Sequence, residues 1–262
     1  MQTSIHMKTT IPTPLRTIFT VGSITVLGAL STQAAVVSYD ITNLNATPVA
    51  PSIVVNNPGE TILGALNLGG GASRPTGDRV INGVTFELAE RAISGSKTFT
   101  SGLQIAWVGD ETLASSNITR TGITGRYEGD FFEIITNTMQ SAGNGSISLT
   151  LSGLQEQQAY RVQFLIDDLA RTTTDLGMSI VATGTDSGST GSFTYGMSGG
   201  KSVLATFTTG ADQTSIGFSL VAASGSRSVI NALAVTAIPE PGSAALLLGI
   251  GALALPVLRR RR

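Results

Sequence analysis

Short runs of β-branched and aromatic residues, each closed off by Gly, Asn or Asp, recur along most of this 262-residue chain and leave little room for anything but strands. The segment Tyr160-Arg161-Val162-Gln163-Phe164-Leu165-Ile166 shows the pattern best. Tyr160, Val162, Phe164 and Ile166 share one face of an extended chain, and Arg161 and Gln163 share the other with Leu165. Comparable runs predict strands at Val36–Ile41, Arg79–Leu88, Lys97–Thr100, Leu103–Val108, Ser146–Leu151, Met178–Ala182, Ser192–Tyr195, Ser202–Thr208, Ser215–Val221 and Val229–Val235. The expectation is an all-β chain whose strands are half-buried, as in a sandwich.

Two stretches depart from this pattern. Between Gly129 and Ser141 the residues Phe131, Phe132, Ile135 and Met139 fall at helical spacing, with Asp130 placed to cap the start, so one short helix is expected to lie across an end of the sheet and use these residues as core. From Thr42 to Gly77 the prolines and the run Gly69-Gly70-Gly71 read as loop. No lysine follows that glycine run, so it is not a phosphate cradle. Thr183–Gly191 reads as a hairpin connection of the same composition.

Both ends of the chain differ from its body. At the start, Lys8 and Arg16 precede a largely apolar run from Ile18 to Leu30, and Thr32 and Ala34 are small residues at the two positions a signal peptidase reads. Residues 1–34 are therefore expected to be a signal peptide, cleaved after Ala34. At the other end, Pro239-Glu240-Pro241 is followed by an uncharged, almost purely apolar run from Ser243 to Leu258 and then by Arg259, Arg260, Arg261 and Arg262. With Gly242 the run reaches about 17 residues, the least that spans a bilayer as a helix. The four arginines would hold its end on the cytoplasmic side.

Residues 238–262, with these three parts in this order, resemble the PEP-CTERM sorting signal of Gram-negative bacteria. The resemblance implies that an exosortase, a membrane transpeptidase-like protease, reads Pro239-Glu240-Pro241 and processes the chain nearby. It implies an exported protein that passes through a membrane-anchored intermediate, held transiently in the inner membrane by the C-terminal helix, to the cell surface or extracellular exopolysaccharide matrix. In the body, Ile81-Asn82-Gly83-Val84-Thr85-Phe86, the run from Leu149 to Leu154 leading into Tyr160-Arg161-Val162-Gln163, and Ile230-Asn231-Ala232-Leu233 are similar to a jelly-roll-like β-sandwich domain found upstream of such tails. Residues 35–237 are accordingly expected to form one such domain.

Charge and composition restrict the chemistry further. Between Ala35 and Ile238 there are ten Lys and Arg against sixteen Asp and Glu, a net charge of about −6, which gives nucleic acid no electrostatic footprint. The chain has no cysteine, and its one histidine, His6, lies in the leader. Triad hydrolysis and thiolate or imidazole metal sites are thus closed to the exported body. Carboxylates remain: Asp110-Glu111, Glu128 with Asp130 and Glu133, and Asp167-Asp168. Neighbours on a strand point to opposite faces, so Asp167 and Asp168 suit a turn and a salt bridge to Arg171 better than a shared substrate atom. Asp167, Asp168 and Asp175 are the candidate calcium ligands; no other cofactor is expected. Trp107, Tyr127 and Tyr195 are the candidate rings for stacking on a surface polysaccharide, with the core as their alternative place.

These observations point to a structural or interaction protein of the cell surface that is not an enzyme. A glycan-binding module is the alternative, and a carboxylate-dependent polysaccharide-degrading enzyme the third reading.

Overall fold

Sixteen strands, one α-helix and one turn of 3-10 helix account for the regular structure of a computed structural model that describes residues 36–68, 77–89, 94–109, 111–114, 126–169, 174–184 and 188–239. The strands are β1 Ser38–Leu44, β2 Thr61–Asn67, β3 Arg79–Ile81, β4 Val84–Leu88, β5 Ser94–Thr98, β6 Gln104–Val108, β7 Glu111–Ala114 and β8 Asn137–Gln140. They continue with β9 Ser146–Ser152, β10 Ala159–Ile166, β11 Asp175–Thr183, β12 Phe193–Gly196, β13 Gly200–Thr208, β14 Ser215–Ala222, β15 Val229–Ile230 and β16 Ala232–Ile238. Helix α1 spans Gly129–Ile135. The described residues all lie in one compact unit.

Two sheets form the sandwich. One has seven strands in the order β1-β13-β10-β16-β2-β4-β3, the other six in the order β12-β11-β14-β9-β6-β5. A three-stranded sheet, β15-β8-β7, completes the set. The pairings are antiparallel except for β2 with β4. Between the sheets lies the main core, where Tyr160, Val162, Phe164 and Ile166 of β10 are at most 1% exposed and meet Ile216, Phe218 and Leu220 of β14. The Phe164 and Phe218 rings stand edge to face with centroids 5.2 Å apart, and this contact ties one sheet to the other. Fully burying a side chain of this size contributes about 1.5–3 kcal/mol. Close approach inside this core depends on two glycines. A Cβ on Gly64 would stand 2.6 Å from the Phe99 ring, and one on Gly95 would stand 2.5 Å from the Trp107 indole of the paired strand.

The other side of β10 departs from the half-buried expectation. Gln163 and Leu165 are buried as well, at 3% and 0% exposure. A second apolar cluster covers this outer face of the seven-stranded sheet. There Ala65, Leu165, Ala232 and Ala234 pack under Phe131, Ile134 and Ile135 of α1 and under Val49 and Val54 of the preceding loop. The small alanines let the helix and loop lie close to the strands. Gln163 fastens the loop, since its Nε2 donates to the Ile53 carbonyl at 2.6 Å and its Oε1 accepts the Val55 N–H at 3.0 Å.

Five other expectations need correction. The supposed loop from Thr42 to Gly77 contains β2, which sits inside the seven-stranded sheet between β16 and β4; its run Ile62-Leu63-Gly64-Ala65-Leu66 is apolar, but the prolines and glycines around it mask the signal. The glycine run 69–71 lies outside the described residues. Arg79–Leu88 is a hairpin rather than one strand, because Asn82 and Gly83, at φ +49° and +76°, make the tight turn that an Asn-Gly pair favours. The strand expected at Lys97–Thr100 begins earlier, at Ser94, and β7 was not foreseen. The helix expected through Ser141 ends at Ile135, and Asn137–Gln140 becomes β8. β-Branched residues at 134, 135, 136 and 138 weaken a helix there, and pairing of Met139 with Thr112 and Ile230 offers the backbone a sheet instead. Asp130 is not the cap. It lies in the first turn, where its carboxylate accepts the Val80 N–H at 3.0 Å and faces Arg79.

Candidate functional site

Among the described residues the last strand, β16, leads straight into Pro239, the first residue of the Pro239-Glu240-Pro241 run. Ala159 pairs with Ile238 in the β10–β16 ladder, and the Gln158 Nε2 donates to the Ile238 carbonyl at 2.5 Å and to that of Ala159 at 3.1 Å. Pro239 is the last described residue. It borders a cavity of about 340 Å³ formed with Thr61, Leu63, Ser101, Gln155, Gln158 and Tyr160. Hydrogen bonds fix its walls: Ser101 Oγ donates to the Leu63 carbonyl at 2.6 Å, the Gln155 N–H donates to the Tyr160 hydroxyl at 2.6 Å, and Thr209 Oγ1 donates to the Gln155 carbonyl at 2.6 Å. Burial raises the Tyr160 pKa, so this hydroxyl keeps its proton. Among the described residues no charged side chain borders the cavity. Glu240, Pro241 and Arg259 to Arg262 lie outside the described residues, as do Thr32 and Ala34 at the expected cleavage site.

The three candidate stacking rings are core residues. Trp107, Tyr127 and Tyr195 are 3%, 4% and 0% exposed, so none presents a ring face to solvent. Trp107 packs in the sandwich interior. Tyr127 stands edge-on to Phe131 at 5.3 Å, and its hydroxyl donates to Asp167 Oδ2 at 2.8 Å. Burial and the neighbouring Asp167 charge both raise the Tyr127 pKa. Tyr195 donates its hydroxyl to the Arg227 carbonyl. Alternation along the strand could not settle which face of the sheet is inward, and the core reading of these rings is the one that holds.

The three candidate calcium ligands do not converge either. Asp167 is buried, and its N–H donates to Asn231 Oδ1 at 2.6 Å. Asp168 is 5% exposed. Asp175 is exposed at the start of β11, where its carboxylate accepts the Ser198 N–H at 2.7 Å and so closes the turn between β12 and β13. The positive charge that both Asp175 and Asp167 feel is Lys201, whose Nζ donates to Asn43 Oδ1 at 2.6 Å. Burial lowers the Lys201 pKa, and the two carboxylates partly offset that. Among the described residues no group of three or more His, Asp or Glu could hold a metal ion. The expected partner of the Asp pair, Arg171, lies outside the described residues.

A larger cavity of about 520 Å³ opens beside the Thr209–Ser215 connection and is bordered by Thr150, Thr183, Asp212, Gln213 and Ser215. Among the described residues Asp212 is the one carboxylate on its wall, whereas hydrolysis of a glycosidic bond needs two facing each other. Among the described residues no aromatic ring borders it. Sequence reasoning named neither cavity. Each combines strand-end residues with residues of the connections, brought together by strand order.

No protein-family profile matches the sequence, and no curated protein does. Among solved structures, the ANX2 ectodomain from Arabidopsis thaliana aligns over 69% of this chain with a TM-score of 0.43 and 9% identity. A beta-glucuronidase from Bacteroides uniformis aligns over 67% with a TM-score of 0.37 and 13% identity. TmCBM61, solved with beta-1,4-galactotriose, aligns over 54% with a TM-score of 0.17 and 9% identity. The aligned region spans half of the ectodomain and 18% of the glucuronidase. Likenesses this distant transfer no residue role and no activity. Two packed, mostly antiparallel sheets with one short α-helix among the described residues define the class: an all-β sandwich protein.

Proposed function

We propose that this chain is an exported bacterial protein of the cell surface or exopolysaccharide matrix, sorted through residues 238–262 and serving there as a structural or interaction component. The observation that carries the reading is the order of Pro239-Glu240-Pro241, the apolar run to Leu258 and Arg259 to Arg262, directly after the last strand of the sandwich. A protease of the exosortase kind is the processing partner, and residues 1–34 are the leader. Among the described residues no helix is long and apolar enough to cross a membrane, and the apolar run falls outside them. The jelly-roll reading of the body is supported by sheets whose neighbours are mostly distant in sequence; the parallel β2–β4 pair is its departure from an all-antiparallel roll.

A non-catalytic role is supported by the lack of cysteine in the chain and of histidine in residues 35–238. Glycan binding by stacking loses its support with the burial of Trp107, Tyr127 and Tyr195. Two tail variants test the sorting reading. Glu240→Ala should stop processing and leave membrane insertion intact, since that residue lies outside the apolar run. Replacing the four arginines with Gln should instead disturb orientation. Normal processing of Glu240→Ala would overturn the reading.

A further inference from the structure

The sorting motif has almost no tether. Ile238 is still paired with Ala159 and held by Gln158, and the apolar run begins at Gly242. Three residues separate the two, and with proline at both ends they favour an extended chain of roughly 3.1 Å per residue, about 10 Å in all. In the membrane-anchored form the end of the sandwich that carries the C-terminus of β16 must therefore stand within about 10 Å of the bilayer surface. A protease that reads Pro239-Glu240-Pro241 in that gap has to touch the folded domain.

From this we infer that the 340 Å³ cavity beside Pro239 is a docking surface for the membrane protease that processes the tail, so that recognition reads the folded end of the sandwich along with the motif. The inference rests on the sorting function proposed above. Three features fit it. Pro239 itself borders the cavity, so the site and the motif's first residue are contiguous. The walls are cross-linked by the Ser101, Tyr160 and Thr209 hydrogen bonds, which gives a preformed surface with little ordering cost on binding. The lining is uncharged and mixes Leu63, Ile238 and Ala237 with Thr61, Ser101 and Gln155, which suits a neutral, partly apolar protein loop.

Full-length protein expressed with its exosortase tests this by the rate at which the tail is removed. Inserting ten Gly and Ser residues between Ile238 and Pro239 gives the motif a flexible tether of about 17 Å and separates it from the cavity. Thr61→Trp fills the cavity from an exposed position at the start of β2. Both variants should be processed at least tenfold more slowly than the parent, with the melting transition of Thr61→Trp unchanged. Processing of either at the parental rate or faster, while Glu240→Ala is not processed, would overturn the docking surface and leave the sorting function standing. If the parent itself is never processed, both fall. A Thr61→Trp chain that melts early is replaced by Ser101→Trp, held to the same outcomes.

Discussion

The two sheets of the sandwich carry different loads. The six-stranded sheet buries one face only: β9 alternates between Ile147, Leu149 and Leu151 inside and Ser146, Ser148 and Thr150 outside, and β11 and β14 follow the same rhythm. The seven-stranded sheet is buried on both faces at its centre, between the main core and the layer made by α1 and the loop before β2. An outward position is thus a surface site on one sheet and a core site on the other. The free sheet can be remodelled outside without touching the fold, whereas the covered sheet anchors both the C-terminal strand and the tail that leaves it.

Neighbouring residues on β10 expose this difference most sharply. Phe164→Ala, in the main core, should cost about 3–5 kcal/mol, and Leu165→Ala, on the opposite face, about 2–5 kcal/mol, both read from urea denaturation. A near-neutral Leu165→Ala would show that the outer layer does not seal the sheet. Asn231 is the polar joint between the layers: its Nδ2 donates to the Ile135 carbonyl at 2.8 Å and to Thr138 Oγ1 at 3.0 Å while its Oδ1 takes the Asp167 N–H. Asn231→Ala should cost about 1–3 kcal/mol through buried groups left without partners.

A smaller effect is expected at Glu60. Burial would raise its carboxyl, but hydrogen bonds from Arg161 and Asn57 and the Arg161 charge outweigh this and hold it below the ordinary carboxylate value. A depressed carboxylate stabilises the fold above its unfolded pKa, and that contribution is lost as pH falls through its folded value. Wild type should therefore lose more stability between neutral pH and pH 3 than Glu60→Gln does. Equal losses in the two would assign the pair no part in holding the loop before β2 on β10. Ser148→Ala, on the open face of β9, should shift stability by less than about 0.5 kcal/mol.

The same contrast explains what could be read in the sequence. Strands of the open sheet announce themselves, because water on one side and core on the other enforce strict alternation, as at Ser146–Leu151 and Ser215–Val221. The covered sheet gives a weaker pattern. Leu165 breaks the polar face of β10, and β2 is a short apolar run among prolines and glycines that only its neighbours β16 and β4 turn into a strand. At Asn137–Gln140 the helical spacing of Met139 was real but served a strand, because β7 and β15 supply long-range partners that local periodicity does not contain. The proposed sorting signal rests on consecutive residues, so it can be read from the sequence without the fold. The cavity beside it cannot, since Thr61, Ser101, Gln155 and Pro239 meet only after the sheets have formed.

Intact mass measurement of the exported protein, from hosts with and without the exosortase, tests the central claim most directly. The account predicts a chain that starts near Ala35 in both hosts and, where the protease is present, ends close to Pro239-Glu240-Pro241. A chain that keeps residues 242–262 in both hosts would contradict it and leave a sandwich held by a simple membrane anchor.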